Sequence, residues 1–135
     1  MAVTIWLADK SALVKLGGSK DAPLWAERIN RGLVRISSIT RLEIGYSARS
    51  EKDLTNSFAS PPLSNLIVEL LSPSIEARAW EVMQKLAAIG AHRAPSIPDL
   101  LIAATAERCQ YTLLHVNKDF EIISTITSQP LERLS

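Results

Sequence analysis

Four carboxylates hold the chemical potential of this sequence: Asp9, Glu43, Asp99 and Asp119, with the amide of Asn117 close to the last. Each falls where the pattern predicts a strand giving way to a helix, or in a helix's first turn. Each also has a plain structural use. Asp9 could cap the helix that follows it. Glu43 completes a capping-box pattern with Thr40. Asp99, three residues after Ser96, suits the positive end of a helix dipole. Asn117 is a good N-cap, and Asp119 a first-turn acid. Taken together these uses weaken, because acids on one rim of a sheet repel each other and call for a counter-charge. The usual counter-charge is a hard divalent cation with oxygen ligands. The chain has one cysteine, Cys109, and two histidines, His92 and His115, so Mg2+ or Mn2+ fits better than zinc. Such a cation polarises a phosphate, lowers the pKa of an attacking water and stabilises the leaving oxygen, which is the chemistry of phosphodiester hydrolysis.

The elements that must position these acids can be read from apolar periodicity and breaks. Val3–Ala8 reads as a buried strand ending at Asp9. Short helices follow over Ser11–Leu16, stopped by Gly17 and Gly18, and over Ala22–Asn30. Val34–Ile36 is a second strand, and Thr40 opens a helix to about Arg49. Ser50–Phe58 adds another helix. Ser60-Pro61-Pro62 is a break but not a domain boundary, since neither side has enough residues for its own core. Leu66–Leu71 is a third strand and Ser74–Ile89 the longest helix, with Gly90 its stop. A strongly apolar helix starts at Ser96–Asp99 and runs to Cys109, where the cysteine reads as a small buried residue. Thr112–Val116 is a fourth strand, Phe120–Thr125 a helix and Leu131–Leu134 a fifth, edge strand. Strands alternate with helices throughout. This predicts a three-layer α/β/α fold with a mostly parallel sheet of four or five strands, in one domain over residues 1–135. In an open sheet of this kind the functional crevice lies outside the carboxyl ends of the strands, where the acids fall.

Composition agrees with one soluble domain. The 135 residues are 47% hydrophobic and 21% charged, enough for a core without disulfides or structural metal. The net charge of +1 carries no basic tail or stripe, so a nuclease of this charge would need its basic residues placed locally. The start, Met1-Ala2-Val3-Thr4-Ile5-Trp6, lacks the basic region and cleavage site of a signal peptide, and no apolar run spans a bilayer. A cytoplasmic protein without membrane contact is the expectation.

Four segments resemble the motifs of the PIN-domain family, in order and over essentially the whole chain. Trp6-Leu7-Ala8-Asp9-Lys10-Ser11-Ala12-Leu13 is similar to the opening signature, an apolar strand followed by Asp-x-Ser-Ala. Ile39-Thr40-Arg41-Leu42-Glu43-Ile44-Gly45 resembles the second motif and Ile97-Pro98-Asp99-Leu100-Leu101-Ile102-Ala103-Ala104 the third. Leu114-His115-Val116-Asn117-Lys118-Asp119-Phe120 resembles the fourth. Size and sub-patterns look most like VapC toxins of actinobacterial type. The resemblance implies a Mg2+- or Mn2+-dependent endoribonuclease, the toxin of a toxin–antitoxin pair, that inhibits translation by cutting RNA. By it Asp9, Glu43 and Asp99 carry over as metal ligands, Asp119 as the fourth-motif acid, and Ser11 and Thr40 as polar residues supporting the ligands. Thr40 is equally readable as only the helix cap. The family also implies a homodimer and a cognate VapB-type antitoxin whose tail blocks the site, with no DNA contact by this chain alone. The sequence departs at Asn117, where many relatives have Asp. Asn offers a neutral oxygen, so a second metal would be held more weakly or not at all. A catalytically impaired PIN-like module that binds RNA or antitoxin is therefore the alternative.

Lys10, Arg41 and Lys118 each neighbour a candidate ligand in sequence, and Arg93 lies in the loop before Asp99. All four are candidates for the RNA backbone, or for softening repulsion among the acids. His92 reads as a loop residue and His115 as a packed histidine. Trp6, Trp25 and Trp80 read as core or dimer contacts rather than base-stacking groups. A receiver domain would want paired acids near the end of strand one, but Leu7 and Ala8 precede Asp9. A phosphatase built on Asp-x-Asp there fails at Ser11.

Overall fold

The computed structural model describes residues 3–134. Five strands form one sheet in the order β3-β2-β1-β4-β5. They are β1 (Trp6–Ala8), β2 (Val34–Ser37), β3 (Ile67–Glu69), β4 (Thr112–His115) and β5 (Leu131–Arg133). Every pairing is parallel. The chain steps outward from β1 through β2 to β3, returns to place β4 on the other side of β1, and ends at the edge strand β5. β1 is therefore the centre of the sheet and the point where strand order reverses.

Helices α1 (Lys10–Leu16), α2 (Ala22–Asn30), α3 (Ser38–Tyr46), α4 (Glu51–Ala59), α5 (Pro73–Ala88), α6 (Ile97–Cys109) and α7 (Asp119–Thr127) complete the layers. Strand period two assigns the two cores. Trp6 and Ala8 face one side with Ala12, Leu16, Trp25 and Ile29 of α1 and α2. Leu7 faces the other with Val82, Leu86, Leu100, Ile102 and Phe120 of α5, α6 and α7. Leu113 and Leu114 divide between the same two cores. Each fully buried leucine contributes about 1.5–3 kcal/mol relative to exposure. α6 is apolar on nearly every face because it lies on the sheet and under α5, where Ile75, Ala79 and Ala104 meet. Arg78 of α5 fastens the pair from outside, its Nε and Nη2 donating to both Glu107 carboxylate oxygens at 2.6 and 2.9 Å.

Several boundaries move from those read in the sequence. β1 begins only at Trp6, with Val3 and Thr4 exposed, and β3 is three residues long. α3 starts at Ser38 because Ser37, the last residue of β2, is its cap: Ser37 Oγ accepts the Thr40 N–H at 3.1 Å. The capping box expected between Thr40 and Glu43 is therefore not formed. Thr40 is fully buried, and its Oγ1 accepts from the Ser37 hydroxyl at 3.2 Å. Trp6 and Trp25 are core residues meeting edge to face, whereas Trp80 is 64% exposed and has no place in the core. Cys109 is half-buried rather than buried.

Candidate active site

The reversal of strand order leaves a crevice at the carboxyl ends of β1 and β4. Asp9 stands there, directly after β1. Its backbone N–H donates to Leu114 O of β4 at 3.2 Å, and its side chain caps α1 by accepting the Ala12 N–H at 2.8 Å. The capping use anticipated for Asp9 is real, yet it does not account for the rest of its surroundings. Asp9 is only 6% exposed, and no cation pairs with it among the described residues. Burial, and then the charges of Asp99 and Glu43, push its carboxyl up to about 6, although the hydrogen bond from Ala12 pulls the other way.

The remaining acids share this electrostatic neighbourhood. Ser96 caps α6 by accepting the Asp99 N–H at 3.1 Å, and Asp99 returns the bond by accepting from Ser96. The reciprocal capping expected at Thr40 and Glu43 is thus found at Ser96 and Asp99. Burial and the charge of Asp119 hold Asp99 above the ordinary carboxylate range. Glu43, half-buried on α3, is raised by burial and by Asp99 and lowered by Lys10. The acids thus form a connected series, Glu43–Asp9–Asp99–Asp119, drawn from the beginning, middle and end of the sequence. With the side chains as they stand, no three metal-binding side chains among the described residues are close enough to share an ion.

The turn after β4 sets the last acid. Asn117 Oδ1 accepts the Asp119 N–H at 2.9 Å in an Asx turn, but the cap position of α7 is Lys118 and carries no side-chain cap bond, so Asn117 is not the N-cap expected. Asn117 O lies 3.0 Å from His115 Nδ1 and 3.3 Å from the Phe120 N–H. Because a carbonyl only accepts, Nδ1 carries the proton. His115 is buried as expected, packs edge-on against Phe120 and is held below its usual pKa by burial.

Residues 7–125 match the PIN domain. The chain is 55% identical over 130 residues to ribonuclease VapC2 of Mycobacterium tuberculosis, covering 96% of this chain and 92% of the relative. It is 36% identical over 129 residues to ribonuclease VapC21 of the same organism, covering 96% and 93%. The chain belongs to the PIN-domain family. A chain of VapBC2 from Rickettsia felis, crystallised with a promoter DNA fragment, superposes with a TM-score of 0.79 at 24% identity over 98% of this chain and 100% of that one. That likeness is one of fold.

In this PIN domain the basic candidates separate. Lys10 is half-buried, donates to the Ser47 hydroxyl, and is the cation whose charge reaches Glu43. Arg41 is exposed on α3, Arg93 in the loop before α6 and Lys118 ahead of α7. Ser11 is exposed in the first turn of α1, while Thr40 lies buried in the first turn of α3, the helix that carries Glu43. One residue near the acids escaped the sequence reading. Tyr46, three positions after Glu43 and so on the same face of α3, is 93% exposed. An aromatic one turn from a motif acid was the available signal.

Proposed function

We propose that the chain is a divalent-cation-dependent endoribonuclease and the toxin of a toxin–antitoxin pair, held in check by a VapB-type antitoxin. The observation that carries this reading is Asp9, a buried carboxylate raised to about 6 amid two further acids and without a cationic partner among the described residues. A PIN domain matching ribonucleases over nearly its full length is where such an acid has a use.

The donor set fits Mg2+ or Mn2+ in type: carboxylate oxygens that repel one another, with no thiolate among them and with His115 Nδ1 engaged by Asn117. Asp9, Glu43, Asp99 and Asp119 would hold the ion. When bound, it supplies positive charge to a phosphodiester oxygen and makes water a better nucleophile. The chain's own groups do the rest. Asp9, pushed up to about 6, is suited to accept a proton from water near neutral pH, and burial raises Asp99 in the same direction. Lys10 stands beside Glu43 to receive a backbone phosphate, with Arg41, Arg93 and Lys118 as exposed cations for neighbouring phosphates. Thr40 supports the helix bearing Glu43, and Ser11 lies in the first turn beyond Asp9. Asn117 serves chiefly to hold the turn that orients Asp119. In this reading the protein works as a cytoplasmic homodimer and inhibits translation by cutting RNA, with no DNA contact by this chain alone.

A second reading, a PIN-like module that binds RNA or antitoxin without cutting, draws on two observations: the acids stand apart, and Asn117 supplies no charge. Incubating total bacterial RNA with the purified chain and Mn2+, beside Asp9→Ala and Asn117→Asp, separates them. Cleavage lost in Asp9→Ala or in excess EDTA supports the nuclease. RNA left intact by both the unaltered chain and Asn117→Asp supports the module.

A further inference from the structure

The geometry points to a nucleobase subsite on α3, in which Tyr46 stacks on a base of single-stranded RNA beside the bond to be cut. This rests on the ribonuclease reading above. Lys10, Ile39, Leu42, Glu43 and Tyr46 enclose a shallow recess of about 350 Å³, within the size range of small-ligand sites. One wall is a candidate metal ligand, one a cation for phosphate, and the floor is apolar. Tyr46 and Leu42 are 93% and 68% exposed, far outside either core.

Three points favour a base as occupant. The recess is continuous with the acid rim through Glu43, so a nucleotide flanking a phosphate held there passes over α3. Lys10 provides complementary charge for that nucleotide's phosphate while the apolar floor receives its ring. An aromatic face stacks on any base, and each such contact strengthens binding about fivefold to a hundredfold. Trp80, the other exposed aromatic among the large exposed side chains, sits on α5 and does not line the recess.

The test uses the full chain carrying Asp9→Asn, which keeps a capping side chain and leaves RNA uncut. Anisotropy with Mn2+ measures its binding to a labelled, mixed-sequence single-stranded oligoribonucleotide. Adding Tyr46→Ala is expected to weaken binding about fivefold to a hundredfold, Tyr46→Trp to restore it, and Tyr46→Leu not to. Placing one abasic nucleotide along the RNA is expected to cost the Tyr46 chain as much at one position, and to cost the Tyr46→Ala chain nothing there. Equal affinity across the variants, no binding by the Tyr46 chain, or a loss without that abasic coupling overturns the subsite. The nuclease reading is scored separately by cutting with the unaltered Asp9. A chain that binds RNA through Tyr46 without cutting keeps the subsite and loses the nuclease. One that cuts with the same KM after Tyr46→Ala keeps the nuclease and loses the subsite.

Discussion

Asn117 and Asp119 are joined by a 2.9 Å hydrogen bond from the Asp119 N–H to the Asn117 side-chain oxygen, which fixes the turn delivering the last acid of the series. An Asp in place of Asn117 would offer the same acceptor oxygen for the turn and add a charge. Asn117→Asp is expected to keep the fold and to tighten Mn2+ binding several-fold, read by calorimetry. Asn117→Ala removes the acceptor for the Asp119 N–H and is expected to cost about 1 kcal/mol in denaturant unfolding. If Asn117→Asp binds Mn2+ no better, charge at this position does not reach the ion.

Asp9 sets the pH response. Its carboxyl lies at about 6 in the fold against an ordinary 3.8. A raised carboxyl means the native state holds its proton more tightly than the unfolded chain does. The associated stability is full below about pH 4 and is lost as pH rises through 6, a difference on the order of 3 kcal/mol. Thermal unfolding of the metal-free chain should therefore show this contribution falling between pH 4 and 7. Added Mn2+ is expected to oppose the fall, because the ionised form binds it. A midpoint indifferent to pH in that window would count against the buried acid.

Asp9→Asn separates stability from activity. An amide still caps α1 but carries no charge into the crevice. At pH 7 the metal-free variant is expected to be more stable than the unaltered chain by about 1–3 kcal/mol, while RNA cleavage falls at least a hundredfold. Retained cleavage would remove Asp9 from the machinery.

Lys10 holds Glu43 down against burial and Asp99. Lys10→Gln is expected to shift the pH-dependent rise in cleavage toward higher pH and to raise KM for RNA. A raised KM with an unmoved pH profile would leave Lys10 only a phosphate contact.

Ser37 is the keystone of α3. Ser37→Ala removes the acceptor for the Thr40 N–H and the partner of the Thr40 hydroxyl. It is expected to cost about 1–2 kcal/mol, and to weaken Mn2+ binding because Glu43 rides on that helix. Thr40→Val keeps the cap and should cost less.

The order of elements and the position of Asp9, Asp99 and Asp119 were legible because strand period two, helix period 3.6 and turn residues act locally. The start of α3 was not. Ser37 and Thr40 are both hydroxyl residues spaced for capping and both fully buried, and only the bond from the Thr40 N–H to Ser37 Oγ at the end of β2 decides between them. Exposure was equally hidden: Trp25 and Trp80 read alike on their helices, yet one is 3% and the other 64% exposed. Contacts between distant elements left no sequence trace. Arg35, Glu69 and Tyr111, on β2, on β3 and before β4, form a hydrogen-bonded triangle, and burial first and then the Glu69 carboxylate push the Tyr111 phenol up to about 12 against the charge of Arg35. Tyr46 was missed for the same reason, since its significance lies in what it leaves uncovered.

The central place of β1 bears on how the protein is made. Asp9 leaves the ribosome long before its neighbour strand β4 and Asp119. Until β4 emerges, β1 lacks one flank and the acid series lacks its last member. A growing chain can therefore expose its first three motifs without assembling the crevice, which forms only once β4 has paired with β1.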